Sequence, residues 1–281
     1  MGFFYFIIFI FGLMVGSFLN SIIYRLSSGE SFLIQRSYCP HCKHILSWED
    51  LIPLFSFIIL RGKCRYCRQK ISWQYPLVEI ATGSLFLLIF NFQLPSVISE
   101  GEEEIYLFAF NFLNLIYYLV IACFLIIIFV YDLKHYIIPD KIIYPAIATA
   151  IFYQLFGILN LEIISDFGFR ISDLKPLLNP LLSAILASLF FLLIALVSGG
   201  KWLGLGDVKL AFFMGLFLGF PNVLFALFLA FSIGAIIGIG LIIAGKKTLK
   251  SEVPFGPFLV AGTFIALFWG RAIIDWYLGF I

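Results

Sequence analysis

Long apolar runs constrain this chain more than any other feature of its 281 residues. The sequence is 62% hydrophobic and 12% charged, whereas a soluble domain carries about 25% charged residues. Runs long enough to cross a hydrocarbon core of about 30 Å lie at 3–24, 77–95, 105–131, 142–161, 178–198, 208–220, 222–244 and 256–279. The sequence therefore predicts an all-α polytopic membrane protein with about eight transmembrane helices. Seven is the alternative, because the sixth run is short and only Phe220-Pro221-Asn222 separates it from the seventh.

The distribution of positive charge predicts how these helices are oriented, because loops on the cytoplasmic side of a membrane retain Lys and Arg. Of the 18 lysines and arginines, eight lie at 25–76, and seven more lie near 132–141, 199–209 and 245–252. The loops predicted on the other side are an acidic segment at 100–104 and a mixed segment at 162–177. Eight crossings with both the N- and the C-terminus outside fit this distribution.

The basic loop at 25–76 contains two Cys-x2-Cys pairs, Cys39/Cys42 and Cys64/Cys67. Each pair puts two thiolates on a tight turn, and two such pairs make the tetrahedral four-sulfur set that Zn²⁺ prefers in closed structural sites. Disulfides or unrelated free thiols are the alternatives, but a cytoplasmic loop disfavours disulfides. We therefore predict structural zinc on these four cysteines.

The zinc prediction divides the chain into three parts. These are a first transmembrane helix at 1–24, a small cytoplasmic zinc-binding domain at 25–76, and a helical bundle at 77–281. His41 and His44 could replace a cysteine as ligands, but we expect both to be solvated loop residues.

Two aspartates lie where a membrane protein tolerates them least. Asp132 ends one apolar run and Asp207 begins another, and an ionisable group at membrane depth costs roughly 2.5–3.5 kcal/mol on insertion scales. The predicted topology puts both at the cytoplasmic ends of their helices, where they can meet. Two close carboxylates share a proton, so that one activates water while the other protonates a leaving amide nitrogen. The pair predicts an intramembrane aspartyl protease.

Several neighbouring residues bear on this interpretation. Gly204 and Gly206 leave the backbone before Asp207 free to adopt unusual conformations and to approach a substrate. The alternative is that both aspartates lie in loops just outside the bilayer, paired with Lys134 and Lys209. We expect Asp140, which follows Pro139, to begin a helix rather than to act as a third acid. The small-residue pairs Gly215/Gly219 and Gly234/Gly238 predict close helix packing.

These motifs together resemble those of bacterial prepilin peptidases, and the resemblance covers nearly the whole chain. It rests on Gly12-Leu-Met-Val-Gly-Ser-Phe-Leu-Asn20 with Tyr24-Arg25, both cysteine pairs, Trp48-Glu-Asp-Leu-Ile-Pro53, Tyr75-Pro-Leu-Val-Glu79, Asp132 with Ile138-Pro-Asp140, Gly204-Leu-Gly-Asp-Val-Lys209 and Pro254-Phe-Gly-Pro257. The family belongs to the same class of membrane aspartyl proteases as presenilin and signal peptide peptidase.

The resemblance implies an enzyme of the bacterial inner membrane that removes the basic leader from type IV prepilins or pseudopilins. Asp132 and Asp207 match the catalytic pair, and Gly204, Gly206 and Lys209 belong to the matching active-site loop. The cysteine loop is similar to that of members that also N-methylate the new N-terminus with S-adenosylmethionine. Gly62 and Lys63 are the candidates for binding this cofactor. The expected partners are prepilins or pseudopilins and the lipid bilayer, with no nucleic acid.

Three other functions remain open at this point. The chain could be a peptidase without methyltransferase activity. It could be a proton-coupled transporter that uses the same aspartates, although a transporter should carry polar residues along several helices or broken helices in corresponding halves. It could also be a membrane scaffold with a zinc loop and no catalysis.

Overall fold

A computed structural model describes residues 2–30, 36–93, 104–164, 175–200, 202–248, 251 and 253–279, with side chains described except at 104–111, 157–164 and 175–176. Most of the acidic segment at 100–104 and of the mixed segment at 162–177 therefore lies outside the described residues, as do Lys201 and Lys250.

Every predicted apolar run forms a helix. In chain order the helices are α1 (Gly2–Ser28), α2 (Phe55–Ile59), α3 (Gln74–Gln93), α4 (Glu104–His135), α5 (Asp140–Ile164), α6 (Lys175–Val197), α7 (Leu205–Leu218), α8 (Asn222–Ile243) and α9 (Gly256–Leu278). The short α2 lies between the two cysteine pairs, where a 3₁₀ turn at Trp48–Leu51 precedes it. The other eight helices correspond one to one with the predicted runs.

Six of these helices are long and apolar enough, over their described residues, to cross a membrane: α1, α3, α4, α6, α8 and α9. Helix α7 has 14 residues, which span about 21 Å at 1.5 Å per residue, less than the hydrocarbon core of about 30 Å. The all-α multi-pass membrane fold is confirmed. The count of about eight crossings stays a prediction for α5 and α7.

Contacts between Cα atoms divide the chain into two compact units, Met1–Ile127 and Ile128–Ile281. In the first unit α1 and α3 pack with their backbones in contact, because glycines remove the side chains between them. A Cβ atom added at Gly12 would lie 2.7 Å from the Cα of Gly83, and one added at Gly16 would lie 2.7 Å from the Cα of Glu79. Such close approach is typical of helices that associate within a membrane.

The second unit is organised around the short helix α7. Six of its residues are buried: Leu210, Ala211, Phe213, Met214, Gly215 and Leu216. A Cβ atom at Gly215 would overlap the backbone of Ala184 in α6, which confirms the predicted close packing there. The prediction is wrong for Gly238, where an added Cβ would meet nothing within 4 Å. Helix α7 is thus held among its neighbours, and its first turn has a defined position.

Candidate active site

Asp132 lies in the last turn of α4, and only 4% of its surface is exposed. Helix α4 ends three residues later, and Tyr136 then adopts a left-handed conformation (φ 57°) and donates its backbone N–H to the carbonyl oxygen of Asp132 at 2.9 Å. The chain enters α5 at Asp140. Asp132 is therefore buried beside the tight connection between two helices.

Asp207 lies in the first turn of α7, three residues after Gly204. The backbone N–H of Gly204 donates a hydrogen bond to Oδ2 of Asp207 at 3.0 Å, and the N–H of Asp207 donates to the carbonyl of Gly204 at 3.1 Å. A carboxylate is stabilised at this position because the N-terminus of a helix carries partial positive charge. The local fold of the Gly204–Asp207 turn thus holds the side chain in place.

The structure brings the two aspartates to one site. The first turn of α7 packs against the connection after α4, where a Cβ atom added at Gly206 would lie 3.0 Å from the Cβ of Ile138. The glycine at this position permits the close approach. The carboxylate of Asp207 then lies close enough to act electrostatically on that of Asp132.

Gly256 is a third component, which the sequence analysis did not identify as a site residue. It is the first residue of α9, and its backbone lies directly against the carboxylate of Asp132. A Cβ atom added at Gly256 would lie 2.5 Å from Oδ2 of Asp132, so only glycine leaves room for the acid. The feature of the sequence that could have indicated this role is a glycine between two prolines, Pro254 and Pro257, at the start of an apolar run.

Lys209 pairs with Asp140 and not with Asp207, which lies two positions before it in the sequence. Its Nζ lies 2.6 Å from Oδ1 of Asp140 and 4.9 Å from the centre of the Tyr144 ring. Lys209 therefore does not neutralise Asp207, contrary to the alternative considered above. Asp140 begins α5, as expected for a residue that starts a helix. Lys209 thus links α7 to α5 beside the acid pair.

The four paired cysteines form one cluster. The sulfur atoms of Cys39, Cys42, Cys64 and Cys67 all lie within 4.8 Å of one another, and none of the four forms a disulfide. The Sγ atoms of Cys39 and Cys67 are 3.8 Å apart. Four sulfurs at 2.3 Å from a tetrahedral zinc ion would be about 3.8 Å apart, so the donor set fits this metal.

The two cysteine pairs have the same backbone fold. In the first, the N–H of Cys39 donates to the carbonyl of His44, and the carbonyl of Cys39 accepts from the N–H of Lys43. In the second, Cys64 donates to Gln69 and accepts from Arg68. Lys43 and Arg68, each directly after its pair, have φ values of 58° and 62°. The backbone hydrogen bonds of each turn therefore place its two sulfur atoms on the same side, and no bound metal is needed to form the turn.

The histidines near the first pair remain outside the sulfur cluster. His41 and His44 are both exposed. The ring of His44 stacks on that of Tyr66 with 3.6 Å between ring centres, and its Nδ1 lies 2.7 Å from the carbonyl oxygen of Ile45. This stack joins the two turns to each other.

Ion pairs join the 3₁₀ turn at Trp48–Leu51 to the second cysteine pair. Nε of Arg65 donates to Oδ1 of Asp50 at 2.7 Å, and Nη1 of Arg65 lies 3.3 Å from Glu49. Burial raises the pKa of Asp50, but hydrogen bonds from Ser47 and Arg65 outweigh that effect and hold the pKa below its usual value. Asp50 therefore stays ionised at neutral pH and keeps the turn attached to the second cysteine pair.

Gly62 and Lys63 lie between α2 and the second cysteine pair. Gly62 has a φ of 67°, donates its N–H to Phe57 and accepts from Ile71, so the fold itself explains the glycine. The Lys63 side chain is exposed, and no carboxylate of the described residues lies within ion-pair distance of it. Its ammonium group suits the carboxylate of an amino-acid cofactor such as S-adenosylmethionine.

Comparison with known proteins places this architecture in a family. Residues 10–92 match a family model described as the bacterial peptidase A24 N-terminal domain, and residues 119–239 match the type IV leader peptidase family. The second match contains both Asp132 and Asp207. No solved structure matches the chain at a significant level.

Curated relatives cover almost the full length of the chain. A prepilin leader peptidase/N-methyltransferase of Bacillus subtilis (strain 168) is 31% identical, with 97% of each protein covered. The protein of that name from Legionella pneumophila is 30% identical over 99% of this chain and 96% of its own length. That of Aeromonas hydrophila is 28% identical over 97% and 93%. The chain therefore belongs to the type IV leader peptidase family, and within it to the prepilin leader peptidase/N-methyltransferases.

Proposed function

We propose that this protein removes the basic leader from type IV prepilins or pseudopilins at the cytoplasmic boundary of the membrane, and then N-methylates the new N-terminus. The observation that carries the proposal is the buried Asp132 beside Asp207 at helix ends. Family membership supports the same chemistry. S-adenosylmethionine supplies the methyl group when bound, and Lys63 and Gly62 are the residues we propose for holding it.

The acid pair suits hydrolysis without a covalent intermediate. Two adjacent carboxylates do not both ionise readily, so one is protonated while the other is charged. The charged carboxylate takes a proton from water as the water attacks the scissile carbonyl carbon. The protonated carboxyl group gives its proton to the leaving amide nitrogen. The N–H of Gly204 holds the Asp207 carboxylate, and the close contact with Gly256 limits the positions open to the Asp132 carboxylate.

The position of the site suits a prepilin. Such a substrate has a basic leader followed by an apolar helix, so its cleavage point rests where the membrane meets the cytoplasm. Both aspartates lie at helix ends, and we propose that these ends face the cytoplasm of a bacterial inner membrane because basic residues are concentrated in the loops on that side. Both termini then lie outside. The division at 1–24, 25–76 and 77–281 is part of this proposal.

A transporter fits the second unit less well. Its described buried polar and charged side chains are Asp132, Ser183 and Thr263. The hydroxyl of Ser183 donates to the backbone carbonyl of Asn179, and that of Thr263 donates to the carbonyl of Leu259. Both bonds are 2.7 Å long and lie within one helix. A proton or ion pathway needs a series of polar groups across the membrane. The described residues place a buried carboxylate only at the end of the bundle.

Asp132→Asn and Asp207→Asn should each lower leader cleavage at least about 100-fold, the size of effect expected when acid–base catalysis is removed. Cleavage of a purified prepilin, followed by mass spectrometry, measures the rate. Asp275→Asn, a change to an exposed acid near the end of α9, is the matched control. Either site variant cleaving at a near-normal rate would contradict the assignment.

Gly256→Ala should lower cleavage about 10- to 100-fold, because a displacement on the order of 1 Å at a reacting group has effects of this size. The new methyl group would lie 2.5 Å from Oδ2 of Asp132 and push the carboxylate away. Gly238→Ala is the control, since an added Cβ there meets nothing within 4 Å. Equal cleavage rates for the two variants would mean that α9 does not position Asp132.

Zinc should be bound at about one ion per chain by Cys39, Cys42, Cys64 and Cys67. Elemental analysis of gently purified protein measures the content, which Cys64→Ser should remove and Cys123→Ser, a control outside the cluster, should leave unchanged. Hydrogen exchange should rise in loop 25–76 more than in the membrane helices when the metal is lost. Zinc-free wild-type protein would overturn the prediction.

The two activities should separate. The Asp132→Asn/Asp207→Asn protein should still methylate a pre-cleaved pilin, detected as a mass gain of one methyl group, because methyl transfer to an amine does not use the water-activating pair. Lys63→Ala should lower methylation and spare cleavage, with Arg36→Ala as a control on another exposed cation of the same loop. We prefer Lys63 to Gly62 for this test because any side chain at Gly62 is strained by its φ of 67°. A folded double variant that transfers no methyl group would show that the two sites are shared.

A further inference from the structure

The metal-binding loop presents an apolar surface that its own folding does not require. We call this surface the apolar edge, formed by Trp48, Leu51, Phe55, Ile58 and Ile59. The exposed fractions of Phe55, Ile58 and Ile59 are 61%, 69% and 73%, and that of Trp48 is 75%. Phe55, Ile58 and Ile59 lie at helical spacing on one face of α2, and large apolar side chains exposed together mark a surface that binds a protein or a membrane.

The other face of α2 supplies the packing that holds the loop together. The ring of Phe57 lies 5.1 Å from that of Trp73, and a Cβ atom at Gly62 would lie 3.2 Å from Cζ of Phe57. The short helix thus has one apolar face turned into the loop and a second one turned outward.

A partly buried hydrogen bond sets the depth of this edge. The backbone N–H of Leu54, directly before α2, donates to Oε2 of Glu79 at 2.9 Å. Glu79 is 6% exposed and lies five residues after Gln74, the start of α3, which corresponds to about 7.5 Å along the helix. Because α3 is long and apolar enough to cross a membrane, α2 lies beside the first two turns of a membrane span.

The loop carries exposed positive charge that no nearby described carboxylate neutralises. Arg65 binds both Glu49 and Asp50, at 3.3 and 2.7 Å. Arg61, Arg68 and Lys70 are exposed, and within the described part of the chain no carboxylate lies within ion-pair distance of them. Basic side chains next to a membrane span attract anionic lipid headgroups.

We propose that the apolar edge inserts into the membrane leaflet at which α1 ends and α3 begins, with Arg61, Arg68 and Lys70 on the anionic headgroups around it. An interfacial helix buries its apolar face at the boundary between headgroups and acyl chains, which is the level that the Leu54–Glu79 hydrogen bond assigns to α2. The cysteine cluster is then held at the membrane surface. This proposal rests on the membrane position of α1 and α3 and not on the peptidase activity.

The test uses the full chain in lipid nanodiscs that contain a phosphatidylcholine with a photoreactive group near the headgroup end of its acyl chain. Lipid adducts are mapped by mass spectrometry, with and without added phosphatidylglycerol. Residues 48–60 should be labelled, and labelling should rise severalfold with the anionic lipid. Phe55→Glu and Ile59→Glu, made singly, should each reduce this labelling severalfold, whereas Gln69→Glu, which adds the same single charge at an exposed polar position, should not. Unchanged zinc content shows that the variants remain folded.

Two results would overturn the proposal. The first is labelling of α1 and α3 without labelling of 48–60, which would show that the edge is not in the lipid. The second is labelling of 48–60 only when each disc holds a single chain, which would assign the edge to contact with a second copy. Equal labelling in the two lipid mixtures would refute the role of the three basic residues. Because the readout is a lipid adduct, failure here is distinguishable from a failure of leader cleavage.

Discussion

The constraint on which the candidate site depends is the burial of a carboxyl group, Asp132, at the end of a membrane helix. Its surroundings must supply hydrogen bonds that water would otherwise provide, since an unsatisfied buried charge is costly. The N-terminus of α9 faces this carboxylate, with Gly256 directly against it. Asp207 is supported by the first turn of its own helix. The geometry that we propose for hydrolysis thus depends on two helix N-termini that face two acids.

The loop that carries the four clustered cysteines is stabilised in a different way. A chain of this size outside the bilayer has too little apolar surface to fold on packing alone, and four sulfurs replace the missing core. The two cysteine turns share one hydrogen-bond pattern, and the His44–Tyr66 stack and the Arg65–Asp50 pair join them to each other and to the Trp48–Leu51 turn. The apolar residues of the loop that do not pack within it, such as Phe55 and Ile59, are exposed beside the start of α3.

Much of the architecture could be predicted because the membrane simplifies the problem. A bilayer satisfies no backbone hydrogen bonds, so a long apolar run has to be helical, and all eight runs are. The cysteine cluster was predictable for a related reason, since two cysteines with two residues between them can bind one metal with little help from the rest of the chain. The packing of α7 was less accessible. Gly215 and Gly238 have similar sequence surroundings, yet only Gly215 contacts another backbone.

The sequence by itself determined the helices, the cysteine turns and the presence of two costly acids, because each depends on residues close together in the chain. The tertiary structure alone decided the partners of those acids. Lys209 pairs with Asp140, which is 69 positions away in the chain, and not with the nearby Asp207. Gly256 packs against Asp132, and the backbone N–H of Leu54 donates a hydrogen bond to Glu79. These contacts join distant segments, and their distances follow from how whole helices pack. No local pattern of residue types encodes that packing.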